Sequence, residues 1–66
     1  MMAKVNGLDR ELADGSTVAT VLALLDAPGK GVAVALDGEV VPRTAWGSTE
    51  VRDGAVVEVL TAVQGG

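Results

Sequence analysis

The final twelve residues, 55–66, constrain the possible fold more than any other stretch. They combine the pattern of a buried β-strand with two glycines at the C-terminus. β-Branched residues dominate the run, and the two-residue period of a strand places every second residue on one face. That face carries Val57, Val59, Thr61 and Val63. Glu58 and Leu60 fall on the other face. The pattern predicts a buried strand that passes directly into a slender tail.

The glycines at the end of this stretch have two explanations. A residue without a Cβ lets another backbone approach closely, so Gly65 and Gly66 would fit a narrow channel in a partner enzyme. Chemistry at the Gly66 carboxylate would need such a channel, with Gln64 and Gly65 threaded through it. Frayed ends are also often rich in glycine, so the dipeptide alone leaves both explanations open.

The composition predicts one small domain that is held together by its core alone. A chain of 66 residues has room for a single domain, which we expect to span 1–66 with 64–66 as a flexible tail. It contains no cysteine and no histidine, which removes disulfides and the usual zinc sites as staples. Trp46 is the only aromatic residue, so valine, leucine and alanine must fill the interior.

The same absences argue against a self-contained enzyme. The chain has no thiolate nucleophile and no imidazole to move protons near neutral pH. Among its nine carboxylates, Asp14, Asp37 and Asp53 belong to Asp-Gly turns, and the others are spread over predicted solvent faces. Acid–base catalysis by two carboxylates needs a shared, partly desolvated site. We therefore expect no catalytic residue, no metal site and no cofactor bound by this chain.

Charge and hydropathy favour a protein partner. The formal net charge is -4 and the isoelectric point is about 4.4, which argues against nucleic-acid binding and suits a basic protein surface. The first four residues lack the apolar stretch of a secretory signal, and no run approaches the roughly 18 apolar residues of a membrane span. We expect a cytoplasmic protein that contacts neither nucleic acid nor membrane.

A hairpin and a helix precede the second half of the chain. Asn6-Gly7 supplies the two positive-φ residues of a type I′ turn, and Leu8 and Leu12 would share the buried face of the second strand. The helix is predicted from a Thr17 or Ser16 N-cap to Pro28-Gly29, over about two and a half turns. Its apolar stripe consists of Val18, Val21, Leu22 and Leu25.

The second half predicts another hairpin and then the closing strand. Asp37-Gly38 joins two short strands, and Pro42 should end the second of them or mark a sheet edge. Residues 43–50 are expected to be irregular, with brief pairing at 51–52 and a turn at Asp53-Gly54. The order predicts an α+β domain with one sheet and a helix across one face. If the first and last strands are neighbours, they run parallel.

Two regions could contact a partner protein. Val56, Leu60 and Ala62 lie on the open face of the closing strand and could form an exposed apolar patch beside the tail. Arg43 could grip a carboxylate or phosphate through its planar guanidinium group. Trp46 could anchor an interface, although a lone tryptophan more often caps the edge of a small core.

Together these residues resemble the ThiS family of sulfur carriers in thiamin biosynthesis. The similar elements are Val41-Pro42-Arg43 with Trp46, Asp53-Gly54 before the closing strand, and Ala62-Val63-Gln64-Gly65-Gly66. The resemblance covers essentially the whole chain, and a Pro-Arg-x-x-Trp element combined with a terminal Gly-Gly is fairly specific. It implies a ubiquitin-like β-grasp fold, with a mixed sheet of four to five strands and one main helix packed across one face.

The resemblance also implies a function. A ThiF-type adenylating enzyme would use ATP and magnesium to convert the Gly66 carboxylate to an acyl-adenylate. Sulfur from a cysteine desulfurase system would then displace AMP and leave a thiocarboxylate. A ThiG-type thiazole synthase would accept that sulfur. The chain itself would be a protein co-substrate and not an enzyme.

Three alternatives share the expected fold. The small subunit of molybdopterin synthase is a related sulfur carrier, but it is usually longer and differs before the Gly-Gly. A ubiquitin-like modifier would be joined to lysines of other proteins. A β-grasp interaction module would carry an inert tail. The sequence leaves these alternatives open, and the mass of the product formed at the tail distinguishes a sulfur carrier from a modifier and from an inert module.

Overall fold

The computed structural model describes residues 1–27 and 31–61, which form one five-stranded sheet and one α-helix. In chain order the elements are β1 (Met2–Val5), β2 (Leu8–Glu11), α1 (Val18–Leu24), β3 (Val32–Leu36), β4 (Glu39–Val41), a 3₁₀ turn (Arg43–Ala45) and β5 (Val56–Thr61). The sheet order is β2-β1-β5-β3-β4. This arrangement confirms the predicted α+β class.

The closing strand β5 occupies the centre of the sheet. It pairs in parallel with β1 on one edge and antiparallel with β3 on the other. The amide of Lys4 donates to the Ala55 carbonyl at 2.9 Å, and the amide of Asn6 donates to the Val57 carbonyl at 2.9 Å. The expected parallel pairing of the first and last strands is therefore confirmed, and both hairpins are joined through β5.

The first hairpin has the predicted turn but not the predicted burial. Asn6 has φ of 50° and Gly7 has φ of 83°, the two positive values that a type I′ turn requires. Leu12 is buried, but Leu8 is 63% exposed, so the expectation of a shared buried face was wrong for Leu8. All four residues of β2 are exposed, since this edge strand has a neighbouring strand on one side only.

The helix begins as predicted and is slightly shorter than expected. Thr17 is the N-cap, and its side chain accepts from the Thr20 amide while the Thr20 side chain accepts from the Thr17 amide. This capping box satisfies amides that have no partner within the helix. The helix has seven residues, about two turns, and Leu25 is its half-buried C-cap. Val18, Val21 and Leu22 face the core as the stripe predicts.

Valine dominates the interior. The largest fully buried side chains are Val5, Val18, Val21, Val34, Val51 and Val57. They come from β1, α1, β3, β5 and the segment before β5, so the core lies between the helix and one face of the sheet. No buried side-chain nitrogen or oxygen lacks a hydrogen-bond partner within the described residues. The apolar core is thus built without aromatic residues at its centre.

The segment from 43 to 52 is more ordered than expected. It starts with the 3₁₀ turn and returns to the start of the helix, where Thr17 bridges to Glu50. The Val51 amide donates to the Ser16 carbonyl at 2.8 Å, and Val51 is buried in the core. The expected pairing at 51–52 therefore falls one residue earlier, because burial of the Val51 side chain sets the register of the segment.

Two expectations fall outside the described residues. Pro28-Gly29, which should end the helix, lies there, and so does the tail at 64–66. Within the described ranges, no helix is both long enough and apolar enough to cross a membrane.

Substitution of Val57 tests which face of β5 is buried. Val57 is 0% exposed, so Val57→Ala removes two buried methyl groups and should lower the free energy of unfolding by about 2 kcal/mol. In a domain of this size that corresponds to a fall in Tm of about 10 °C, measured by circular dichroism. Val56→Ala is the matched control on the open face of the same strand. Equal losses for the two variants would contradict the assigned faces.

Candidate functional site

The strand that leads to the tail has one buried and one open face. Val57 and Val59 point into the core, whereas Val56 is 41% exposed and Leu60 is 67% exposed. Thr61 continues the buried side of the alternation but is itself exposed at the end of the strand. The alternation was predicted, and the structure adds that the cover of the core ends before Thr61.

The open face of β5 continues across β3 and β4 as an apolar surface. The antiparallel register sets Leu60 beside Ala33, and the next strand sets Val40 beside Ala35. Val40 is 77% exposed. We call this surface the open-face patch, and its residues are Ala33, Ala35, Val40, Val56 and Leu60. It lies on the side of the sheet opposite the helix and borders the last residues of β5.

Charged side chains interrupt and border the open-face patch. Glu58 lies opposite Ala35, within the patch, and is exposed. Lys4 lies opposite Val56 on one side and opposite Asp9 on the other. Two carboxylates and one ammonium group thus lie within or near the apolar residues. Such a surface suits a partner that offers apolar residues together with charges of both signs.

Turn side chains brace β5 on both edges. Asn6 and Asp37 are turn residues with φ of 50° in the two hairpins. The Val59 amide donates to Oδ1 of Asn6 at 2.7 Å, and Nδ2 of Asn6 donates to the Val59 carbonyl at 3.2 Å. The Val56 amide donates to Oδ1 of Asp37 at 2.9 Å. Sequence analysis assigned both residues to their turns alone and missed these contacts with the central strand.

Arg43 and Trp46 lie together, apart from the open-face patch. Nε1 of Trp46 donates to the Val41 carbonyl at 2.9 Å, and its half-buried ring packs against the core. The guanidinium carbon of Arg43 lies 5.9 Å from the centre of that ring, within the range of a cation–π contact. Arg43 is thus stacked on the edge of the core at the β4 end of the sheet.

The remaining predicted site residues lie outside the described ranges. These are Ala62 of the expected contact surface and the tail residues Gln64, Gly65 and Gly66. The described part of β5 ends at Thr61, directly before them. Within residues 1–27 and 31–61, no three histidine, cysteine, aspartate or glutamate side chains are grouped so that they could hold a metal ion.

The fold and the placement of β5 define a class of protein. A mixed five-stranded sheet, a helix across one face and a central closing strand that leads to the chain end make a ubiquitin-like β-grasp domain. The ThiS family model matches residues 3–66, so the chain belongs to the ThiS family. A comparison with curated proteins gave no match.

Solved structures agree with the family assignment. The chain is similar to the crystal structure of thiamine biosynthesis protein ThiS from Geobacter metallireducens, with 38% identity, 100% of each chain covered and a TM-score of 0.84. It is also similar to a solution structure of a thiamine biosynthesis protein from the same organism, with 38% identity and a TM-score of 0.81. That match covers 100% of this chain and 88% of the other. The β-grasp fold expected from the resemblance is thus confirmed.

Trp46→Phe tests the structural part that Trp46 plays. The variant loses the indole donor to the Val41 carbonyl and part of the packed ring, which should cost about 1–2 kcal/mol of unfolding free energy. Arg43→Ala is the control, because it removes an exposed cation–π contact that contributes at most about 1 kcal/mol. Thermal unfolding followed by circular dichroism measures both. A greater loss in Arg43→Ala would contradict this assignment.

Proposed function

We propose that this chain is a sulfur carrier whose C-terminal Gly66 carboxylate is adenylated and converted to a thiocarboxylate that donates sulfur for thiazole formation in thiamin biosynthesis. The observation that carries the proposal is the ThiS family match, which extends through Gly66. The thiamine biosynthesis proteins among the similar structures support the same pathway. The chain acts as a co-substrate, and its partners supply the catalytic groups.

The proposed reaction activates a carboxylate that is unreactive on its own. The Gly66 carboxylate attacks the α-phosphorus of ATP, and pyrophosphate leaves, which gives an acyl-adenylate. The terminal sulfur of a persulfide then attacks the acyl carbon, and AMP leaves with the bonding electron pair. A thiol attacks the other sulfur of the resulting acyl disulfide, which forms a new disulfide and releases the thiocarboxylate. The product carries one sulfur in place of one oxygen. ATP and magnesium belong to the adenylating enzyme, and the sulfur comes from a cysteine desulfurase system.

The chain's own contribution is to present its end. Channel access requires slender residues, so Gln64 and Gly65 thread into the partner and no side chain obstructs Gly66. The rest of the domain supports β5, which is paired on both edges and buried on one face. A strand held in this way gives the tail a rigid starting point. This division of labour accounts for a carrier that lacks cysteine and histidine.

The open-face patch is the proposed contact surface for the adenylating enzyme. Val56 and Leu60 lie on β5, the strand that precedes the tail in the sequence, so a partner that takes the tail into a channel comes close to them. Ala62 would extend this surface toward the tail. Arg43 is a second candidate contact at the β4 end of the sheet, stacked on Trp46. A ThiF-type enzyme and a ThiG-type thiazole synthase would bind the open-face patch one after the other.

Product mass distinguishes two of the alternative functions, and the identity of the sulfur acceptor distinguishes the third. A carrier of the molybdopterin synthase type would also form a thiocarboxylate, but it would pass its sulfur to a different acceptor. A ubiquitin-like modifier would form larger conjugates through lysine. An inert interaction module would form neither product. The family match favours the carrier of thiamin biosynthesis.

Deletion of Gly66 tests the proposed reaction. Incubation of the chain with a ThiF-type enzyme, ATP, magnesium and a sulfur source should give a product in which sulfur replaces one oxygen, detected by intact mass. The variant without Gly66 should give no such product, because the narrow channel positions the carboxyl group of that residue. Its Tm should equal that of the unaltered chain, since Gly66 follows the last described strand. Thiocarboxylate on the shortened chain at the same rate would refute the assignment.

Leu60→Ser tests the open-face patch. Leu60 is 67% exposed, so the change should leave the Tm nearly unaltered but raise the KM of the carrier for the adenylating enzyme about tenfold. Leu8→Ser is the matched control, because Leu8 is 63% exposed on β2 at the far edge of the sheet. Pyrophosphate release measures both rates. A rise in KM of the same size in both variants would count against a specific contact at the patch.

A further inference from the structure

We propose that Asn6 is a positioning residue that holds the end of β5 next to the tail against the sheet, and the proposal rests on the carrier function argued above. Asn6 lies in the first hairpin turn, 53 residues before Val59 in sequence, yet its carboxamide forms two hydrogen bonds with the Val59 backbone. A type I′ turn needs positive φ values but does not need this pair of contacts. The contacts therefore call for an explanation beyond the turn.

The Asn6 side chain extends the parallel ladder after β1 has ended. Backbone bonds join Lys4 to Ala55 and Asn6 to Val57, and the next residue of β5 on that edge is Val59. The chain has already turned away at Asn6, where φ is 50°. A carboxamide carries one acceptor and an N–H donor, as a peptide group does, and it fills the vacant ladder position with both bonds.

This extension determines how the part of β5 after Val57 is held, and we call that part the tail root. On its other edge, β5 stays paired with β3 up to Thr61, which lies opposite Val32. Without the Asn6 carboxamide, the part of β5 after Val57 would be hydrogen-bonded within the described residues on the β3 edge alone. A strand held on one edge can swing and fray more readily than one held on both. The two hydrogen bonds at Val59 therefore restrain the end of β5, directly before the tail.

The restraint should act on binding of the tail rather than on the chemical step. A tail root that is already ordered loses less conformational entropy when the partner's channel takes it in. Once the tail is seated, the channel sets the position of the Gly66 carboxylate. Loss of the Asn6 contacts should therefore raise the KM of the carrier and leave kcat unchanged.

Asn6→Gly is the main test, with Asp37→Gly as its matched control. Glycine accepts the positive φ of both turns, and each variant removes a turn side chain that bonds to β5. Asn6 bonds near the tail, at Val59, whereas Asp37 bonds at Val56, the first residue of β5. Initial rates of pyrophosphate release with a ThiF-type enzyme should show a KM raised about five- to thirtyfold for Asn6→Gly. Asp37→Gly should keep the KM of the unaltered chain.

Amide hydrogen exchange supplies a second readout. Asn6→Gly should speed exchange at the Val59 amide far more than at the Val34 amide in the neighbouring strand, because the loss is local to one edge of β5. Asn6→Asp keeps the acceptor and the turn but faces the Val59 carbonyl with an oxygen, so it should raise KM in the same direction. This variant decides the question if Asn6→Gly unfolds.

The outcomes separate this inference from the proposed function. A raised KM in both Asn6 variants, with kcat and the Asp37→Gly KM unchanged, supports the positioning role. An unchanged KM in the Asn6 variants, or an equal rise in Asp37→Gly, overturns it while the carrier function stands. If the unaltered chain itself forms no adenylate and no thiocarboxylate, the carrier function fails, and the positioning role fails with it.

Discussion

The pairing of β1 with β5 is the interaction on which the rest of the structure depends. It joins the two ends of the described chain in the middle of the sheet and leaves the hairpins on either side. The same strand supplies Val57 and Val59 to the core and Leu60 to the open face. Because one strand serves both purposes, the stability of the core and the placement of the open face have a common origin.

Much of this arrangement could be predicted from sequence because local patterns and turn chemistry agreed. Asn6-Gly7 specified its turn, and Thr17 specified the start of the helix. The valine alternation in β5 places Val57 and Val56 on opposite faces of the strand, as the structure has them. These features depend on neighbouring residues only, so period and capping rules are sufficient to find them.

The features that escaped prediction depend on contacts between distant residues. Leu8 has the pattern of a buried residue, but its strand lies at the sheet edge, which local sequence does not reveal. The buried Val51 is hydrogen-bonded through its amide to Ser16 at the start of the helix, a residue distant in sequence. The Asn6 carboxamide finds Val59 only because β1 and β5 are parallel neighbours. An Asn in a turn already has a sufficient local reason, so nothing in the sequence pointed to its second role.

The central place of β5 also affects how the chain reaches its native state. The two hairpins can form early from local contacts, but the strand between them comes last in the sequence and must close a loop that spans almost the whole chain. Until it docks, β1 and β3 each leave an edge open on the side that β5 will occupy. Partly folded molecules then expose templates for pairing with one another, so aggregation competes with the final folding step.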